Sequence, residues 1–168
     1  MTGVSVREHY LELSVFPTSP YYARLHVQRV LEGWRREDLV ETARLVVSEL
    51  VSNAIKAHAV SLAALETAAL ASPDRIWMDL YQAEGAIVLR VWDAGSASPV
   101  LKDPDPDDEG GRGLYLVDLL TSGWGYHRPK SGGKIVWCTL AASPALPAEN
   151  ACPGFSAMFA DPAAEPAK

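Results

Sequence analysis

The segment from Glu41 to Ala54 constrains the fold most strongly, because the apolar residues in and around it follow the spacing of one helix face. These residues recur three and four positions apart: Leu39, Ala43, Val46, Val47, Leu50, Val51, Ala54 and Ile55. This periodicity predicts an amphipathic helix that buries one side in a core. We expect Asp38 to cap its N-terminus, with Glu41 as the second member of a capping box.

Two polar residues of this helix, Glu49 and Asn53, are four positions apart and therefore lie one above the other on the same face. A carboxylate and a carboxamide in this arrangement can share a hydrated magnesium ion, or hold a water or hydroxyl group beside it. The helix alone favours a simpler interpretation, in which both residues are solvated positions on an outer face.

Two further motifs follow the helix. Val91–Gly95 (VWDAG) ends an alternating strand with a carboxylate and then a glycine, and residues 109–117 (EGGRGLYLV) run from a glycine-rich loop into an apolar helix. The three motifs, in this order, resemble the N box and the two glycine boxes of the GHKL-type ATP-binding fold. That fold is shared by histidine kinases, DNA gyrase and mismatch-repair ATPases.

The resemblance covers residues 8–141 and is greatest to one branch, the anti-sigma-factor serine/threonine kinases and their actinobacterial relatives. It implies ATP and Mg²⁺ as cofactors, a sigma factor and an anti-anti-sigma factor as protein partners, and phosphorylation of a serine or threonine on the latter. A nucleotide-dependent binding module with negligible activity remains open as the alternative. A detached catalytic domain acting on histidine is least favoured, because no phospho-acceptor segment precedes the motifs.

The resemblance also implies a role for each motif residue. Glu49 would be the general base, and Asn53 the magnesium ligand. Asp93 would accept a hydrogen bond from the exocyclic amine of adenine, a group that guanine lacks at that position, although a strand-ending turn residue is the simpler interpretation. The ATP-binding residues expected from the resemblance are Asn53, Asp93, Gly95, Gly111, Arg112, Gly113 and Leu114.

The glycines of the last two motifs have physical reasons to be there. Gly95 lets the backbone pass close to the purine because it has no Cβ atom. Gly111 and Gly113 can turn their amides towards phosphate oxygens, at the positive end of a helix that begins at about Leu114. Arg112 can bind a phosphate or a partner. A helix-capping turn is the alternative for these two glycines.

Interleaved helix and strand segments predict an α+β two-layer sandwich, with a mixed, mostly antiparallel sheet and helices packed on one face. The predicted strands span 9–16, 75–82, 86–92, 124–127 and 134–140. The other predicted helices run from Ser19, as N-cap, to about Trp34, and from Leu114 to Thr121. Their expected core residues are Leu25, Val27, Val30 and Leu31 in the first and Leu116, Val117 and Leu120 in the second.

Three segments depart from a minimal version of this fold. Compared with the usual pattern of the branch that this chain resembles, one extra residue lies between Asn53 and His58. On a straight helix this rotates His58 by about 100° from its expected place, although a bulge could absorb the shift, and we expect a partly exposed histidine. We expect residues 60–72 to extend the helix or to form another one. Their outward surface either binds a partner or a second copy of the chain, or has no binding role. The loop 96–111 stands at the position of the family's nucleotide lid. It is rich in acidic residues, so we expect a solvated, charged loop.

Composition limits the remaining possibilities. A chain of 168 residues fits one domain, here 1–141, followed by a Pro/Ala-rich tail, 142–168, that we expect to be disordered. The net charge of -6 argues against nucleic-acid or membrane-surface partners. The sequence has no apolar run of about 20 residues and no signal peptide, and its two cysteines indicate no disulfide framework. We therefore expect a cytoplasmic protein.

Overall fold

The computed structural model describes residues 9–64, 75–83, 85–100, 112–140 and 165–166. The helices within these residues are α1 (Ser19–Gly33), α2 (Val40–Ala64) and α3 (Arg112–Leu120), with a short 3-10 turn at Glu37–Leu39. The strands are β1 (Tyr10–Ser14), β2 (Arg75–Ala83), β3 (Ala86–Asp93), β4 (Gly123–His127), β5 (Lys134–Leu140) and β6 (Glu165–Pro166). The rest of the predicted 60–72 helix beyond Ala64, the acidic stretch 101–111 and most of the tail lie outside the described residues.

The strands form one sheet in the order β1-β2-β3-β5-β4-β6, and every pairing among them is antiparallel. β2 and β3 are joined by a short turn at Gly85, whose φ of 80° suits a glycine. β3 pairs with β5, which is distant in sequence, so the end of β3 lies beside the start of β5. The predicted α+β sandwich is confirmed.

The core lies between the helices and one face of this sheet. Alternate residues of β2 and β3 point into it, as period-2 patterning predicts. The fully buried ones are Ile76, Met78, Leu80, Ile87 and Leu89. α2 contributes a matching stripe with helical spacing: Ala43, Val46, Val47, Leu50, Val51 and Ala54. The long apolar stripe therefore fixes α2 against the sheet, with Glu49 and Asn53 half-buried at its margin.

Three expected burial states were wrong. Leu25 is 47% exposed and Leu116 is 38% exposed, because the buried faces of α1 and α3 are defined by other residues of each helix. His58 is buried at 5% exposure. It lies four residues after the buried Ala54 on an unbroken α2, so helical geometry returns it to the core face.

The two predicted helix caps also differ in detail. Thr18 holds the N-cap position of α1, and the Ser19 hydroxyl donates instead to the Ser14 carbonyl (2.5 Å), which ties the helix start to the end of β1. Asp38 lies within the 3-10 turn and accepts two hydrogen bonds from the Arg36 guanidinium (2.8 and 2.9 Å). That pairing occupies the carboxylate that was expected to cap α2.

Candidate functional site

A cleft of about 280 Å³ opens between α2, the end of β3, the start of α3 and the start of β5. Its walls are largely apolar, and a few polar groups reach it, as in sites for small molecules. The lining residues are Leu50, Asn53, Ala54, Ala57, Val91, Asp93, Ala97, Ser98, Pro99, Val100, Gly113, Leu114, Lys134 and Val136. Elements from four separate parts of the sequence therefore meet here.

Asp93 is one of the polar residues that line this cleft, and it is only 3% exposed. Its Oδ1 atom accepts a hydrogen bond from the Gly95 amide (2.8 Å) and another from the Lys134 ammonium (2.7 Å). Among the described residues, no hydrogen bond to Oδ2 is seen. One oxygen of the carboxylate is thus fixed by the protein, and the other remains an acceptor for a ligand.

Burial raises the pKa of the Asp93 carboxyl above its ordinary value. The Lys134 ammonium opposes that increase through its charge and its hydrogen bond, and the Gly95 amide and the more distant Arg128 act in the same direction. The net pKa is raised, so desolvation is the largest of these effects. Lys134 is consequently the main group that favours the charged form of this carboxylate.

Lys134 was missed by the sequence analysis. It is directly opposite Asp93 in the β3–β5 register and only 4% exposed. A lysine that begins a strand normally suggests a solvated position, and the pairing of β5 with β3 cannot be read from the sequence. The pair spans 41 positions in sequence, so no local pattern could reveal it.

The turn before β5 sets the position of Lys134. Gly132 and Gly133 have φ angles of 95° and 75°, a region that side chains other than glycine rarely adopt. The Trp92 indole N–H donates to the Gly132 carbonyl (3.1 Å). A Cβ atom on Gly133 would collide with the Asp93 carbonyl oxygen and lie 2.7 Å from the Trp92 ring. Glycine therefore lets this turn close tightly over the end of β3.

The Glu49 helix and the glycine motif meet at Gly113. A Cβ atom built on Gly113 would lie 2.5 Å from Glu49 Oε2 and 3.4 to 3.5 Å from the Asn53 carboxamide. The lack of a side chain there lets the start of α3 approach both polar groups of α2. Two motifs that are about 60 residues apart in sequence thus form one polar corner of the cleft.

The first turn of α3 contributes backbone amides to this corner. α3 begins at Arg112, and the amides of a helix's first turn have no partner within the helix, so they can bind an anion. Leu114 is buried and lines the cleft next to Gly113. Gly111 lies outside the described residues, as does the side chain of Arg112.

The predicted site residues are therefore largely brought together. Asn53, Asp93, Gly113 and Leu114 line one cleft, and Gly95 bonds to Asp93 beside it. A Cβ atom on Gly95 would lie 2.8 Å from Asp93 Oδ1, so the lack of a side chain there lets the backbone pass close to this carboxylate. Glu49 adjoins the cleft at Gly113 without lining it. Among the described residues, no group of three or more His, Cys, Asp or Glu side chains could hold a metal ion.

A family model described as the histidine kinase-like ATPase domain matches residues 16–140. The chain belongs to this family. The match runs from the loop before α1 to the end of β5 and so includes every element that forms the cleft. No curated protein matched the chain.

Membership of the histidine kinase-like ATPase family assigns ATP as the ligand, and the residues of the cleft fit that assignment. Apolar side chains can enclose a purine ring, Asp93 can accept from its amine, and the α3 amides adjoin a corner without side-chain bulk at Gly113. In the part of the chain that the structure describes, no helix is both long and apolar enough to cross a membrane.

Proposed function

We propose that this chain is an ATP-dependent regulatory protein of the anti-sigma-factor type, acting in the cytoplasm. In this proposal it binds Mg-ATP in the cleft, sequesters a sigma factor and phosphorylates a serine or threonine of an anti-anti-sigma partner. The observation that supports it most is the meeting of Glu49, Asn53 and Gly113 at one corner of a cleft that the buried Asp93 also lines.

Adenine recognition rests on Asp93. The Gly95 amide and Lys134 hold Oδ1, so the orientation of the carboxylate is fixed before a nucleotide arrives. Fixing a side chain in advance lowers the entropy cost of binding. The exocyclic amine of adenine is a donor where guanine has a carbonyl oxygen, so the acceptor Oδ2 favours ATP over GTP.

Phosphate and metal binding rest on the opposite corner. The α3 amides can donate to phosphate oxygens, and the Asn53 carboxamide oxygen is a suitable ligand for Mg²⁺. Magnesium ions at nucleotide sites usually take one or two protein ligands, the other positions being filled by phosphates and water. We therefore propose Asn53 as the protein ligand of this ion.

Glu49 is the proposed general base. Its carboxylate would take the proton of the partner's hydroxyl group while that oxygen bonds to the terminal phosphorus of ATP. The bond from this phosphorus to the bridging oxygen would break, and ADP would leave with the electron pair. Phosphoryl transfer needs mainly positioning and charge neutralisation, which the α3 amides and the bound magnesium ion would supply. Glu49 Oε2 lies beside Gly113, where the phosphates would approach α3.

One observation favours the second candidate, a nucleotide-dependent binding module that transfers no phosphate. Glu49 contacts the margin of the cleft and is not among the residues that line it. If the carboxylate stays at that margin when ATP and a partner are bound, and the partner's hydroxyl group binds elsewhere in the cleft, Glu49 cannot take its proton. The protein would then act only by changing its affinity for a partner.

Incubation with γ-labelled ATP and candidate anti-anti-sigma proteins separates the two candidates. We expect label on a serine or threonine of a partner, reduced about 10²-fold or more in Glu49→Gln, the range for loss of a general base. Glu41→Gln, an exposed position on the same helix, is the matched control and should transfer normally. If the wild-type protein labels no partner and yet binds one with ATP, the binding module is correct.

A further inference from the structure

We propose that Lys134 is a second base-reading residue, which donates a hydrogen bond to one of the two adenine ring nitrogens that flank the exocyclic amine. Asp93 and Lys134 would then read the adenine edge together, as acceptor and donor. The inference rests on the proposed function, because it requires ATP in the cleft. It assigns a specificity role to a residue for which the three motifs provide none.

The donor capacity of Lys134 supports this role. An ammonium group carries three N–H donors, and the structure shows one of them bonded to Asp93 Oδ1 at 2.7 Å. The side chain is almost fully buried and lines the cleft, and among the described residues Asp93 is the acceptor that it bonds, so its remaining donors are available to a ligand in the cleft. A buried donor that lacks an acceptor is costly, which favours a ligand acceptor at this point.

The chemistry of adenine matches this pair. The exocyclic amine is a donor, and the ring nitrogens on either side of it are acceptors. A carboxylate oxygen and an ammonium group bonded side by side therefore present the complementary pattern of acceptor and donor. One edge of the base would satisfy both groups at once.

Gly95 keeps this pair accessible. A Cβ atom there would lie 2.8 Å from Asp93 Oδ1 and 3.0 Å from Lys134 Nζ, and 2.8 Å from the Cβ atom of Ala57 on the other side. The side chain of any other residue would thus collide with Asp93 and Lys134 on one side and with α2 on the other. The lack of a side chain at Gly95 therefore leaves space beside the lysine as well as beside the aspartate.

The alternative is that Lys134 is only a counter-charge that keeps Asp93 ionised. Both roles predict weaker ATP binding when the lysine is removed, so a loss of affinity alone does not distinguish them. They differ in what happens when the base loses its acceptor atom. Only a direct hydrogen bond makes the effect of the lysine depend on a particular ring nitrogen.

Calorimetric titration of the full chain with Mg²⁺ and ATP, 1-deaza-ATP or 7-deaza-ATP tests this dependence. In the wild-type protein we expect one deaza analogue to bind about 10 to 100-fold more weakly than ATP, the range for a hydrogen bond to a charged group. In Lys134→Met the affinities for ATP and for that analogue should agree to within about twofold. Lys130→Met, an exposed lysine in the same hairpin, should keep the wild-type penalty for the analogue.

Two results would overturn the inference. Either the wild-type protein binds all three nucleotides equally, or Lys134→Met binds ATP and retains the full penalty. The first comparison needs no variant, so it can overturn the inference even if Lys134→Met does not fold, and Lys134→Gln, which keeps an N–H donor, offers a second variant. A wild-type chain that binds none of the nucleotides would instead refute the proposed function, which is a distinct outcome.

Discussion

The Asp93 carboxylate is almost fully buried, and Lys134 is the group that most strongly offsets the resulting desolvation. Burial raises the pKa of Asp93, while Lys134, the Gly95 amide and Arg128 lower it. An ionised carboxylate is the better acceptor for an adenine amine. In the proposed role of Asp93, the charge state of this one residue would link the pH of the solution to the affinity for ATP.

Removing Lys134 should move this dependence to higher pH. Protonated Asp93 predominates below its pKa, so ATP affinity should rise as the pH rises through that value. Lys134→Met removes the largest effect that lowers the pKa, so the same rise should occur at higher pH than in the wild-type protein. Titrations from pH about 4 to about 8 would measure both midpoints. An unchanged midpoint, or one at lower pH, would contradict this assignment.

At the scale of elements, the turn between β4 and β5 positions Lys134. Gly133 packs closely against the backbone of Asp93 and the ring of Trp92. The Trp92 indole N–H donates a hydrogen bond to the Gly132 carbonyl. Trp92 also stacks on Trp77 of β2, with ring centroids 4.6 Å apart. The turn, β3 and β2 are thus held together on the sheet face opposite the helices.

Alanine substitutions in this turn should separate backbone strain from close packing. Gly132→Ala meets only the cost of a positive φ angle, about 1–2 kcal/mol of unfolding free energy, because nothing lies within 4 Å of its Cβ position. Gly133→Ala adds a collision with Asp93 and Trp92 and should lose about 1–3 kcal/mol more.

Denaturant unfolding measures both losses. Gly123→Ala in β4, which has open space and no positive φ, is the control and should change stability by less than about 1 kcal/mol. Equal losses for Gly132→Ala and Gly133→Ala would show that the close packing over Asp93 contributes nothing.

At the scale of the whole molecule, two long-range pairings assemble the cleft. α2 packs against α3, which brings Glu49 and Asn53 to Gly113, and β3 pairs with β5, which brings Asp93 to Lys134. Stability of the sheet is thus a condition for the site. On the sheet face opposite the helices, Arg90 donates to both carboxylate oxygens of the buried Asp79 (2.9 and 2.6 Å).

Asp79→Ala should therefore destabilise the chain strongly. It removes two charged hydrogen bonds and the counter-charge of a guanidinium group that is 11% exposed, a loss of about 3–5 kcal/mol for a broken buried pair. Glu12→Ala breaks the exposed pair with Arg75 and should cost less than about 1 kcal/mol. Urea unfolding of both variants measures the difference, and similar small losses would refute the structural role of Asp79.

The sequence predicted whatever depends on local periodicity. Alternation placed Ile76, Met78 and Leu80 on one face of a strand, and the helical stripe around Val47 placed Glu49 and Asn53 on a common side. Burial of Leu25 and Leu116 was predicted wrongly, because periodicity in a short helix permits more than one apolar face and packing against neighbours selects between them.

The lysine that was missed in the site depends on a contact that no local pattern contains, because the register of β3 with the distant β5 places Lys134 opposite Asp93. His58 lies outside the cleft lining, and its burial was misjudged because α2 continues without a break. The motif residues were found because they belong to a family pattern, and their meeting at one cleft was the part that the fold had to provide.

Calorimetric titration of the full chain with ATP, with and without Mg²⁺, tests the central claim most directly. We predict a single site in the wild-type protein, with weaker ATP binding in Asp93→Asn under both conditions because the amide cannot offer two acceptors. Asn53→Ala should weaken binding only when Mg²⁺ is present, since it removes a proposed metal ligand, and Glu41→Gln should bind normally. A wild-type chain that binds no ATP, or unchanged affinity in both site variants, would contradict the assignment of this cleft.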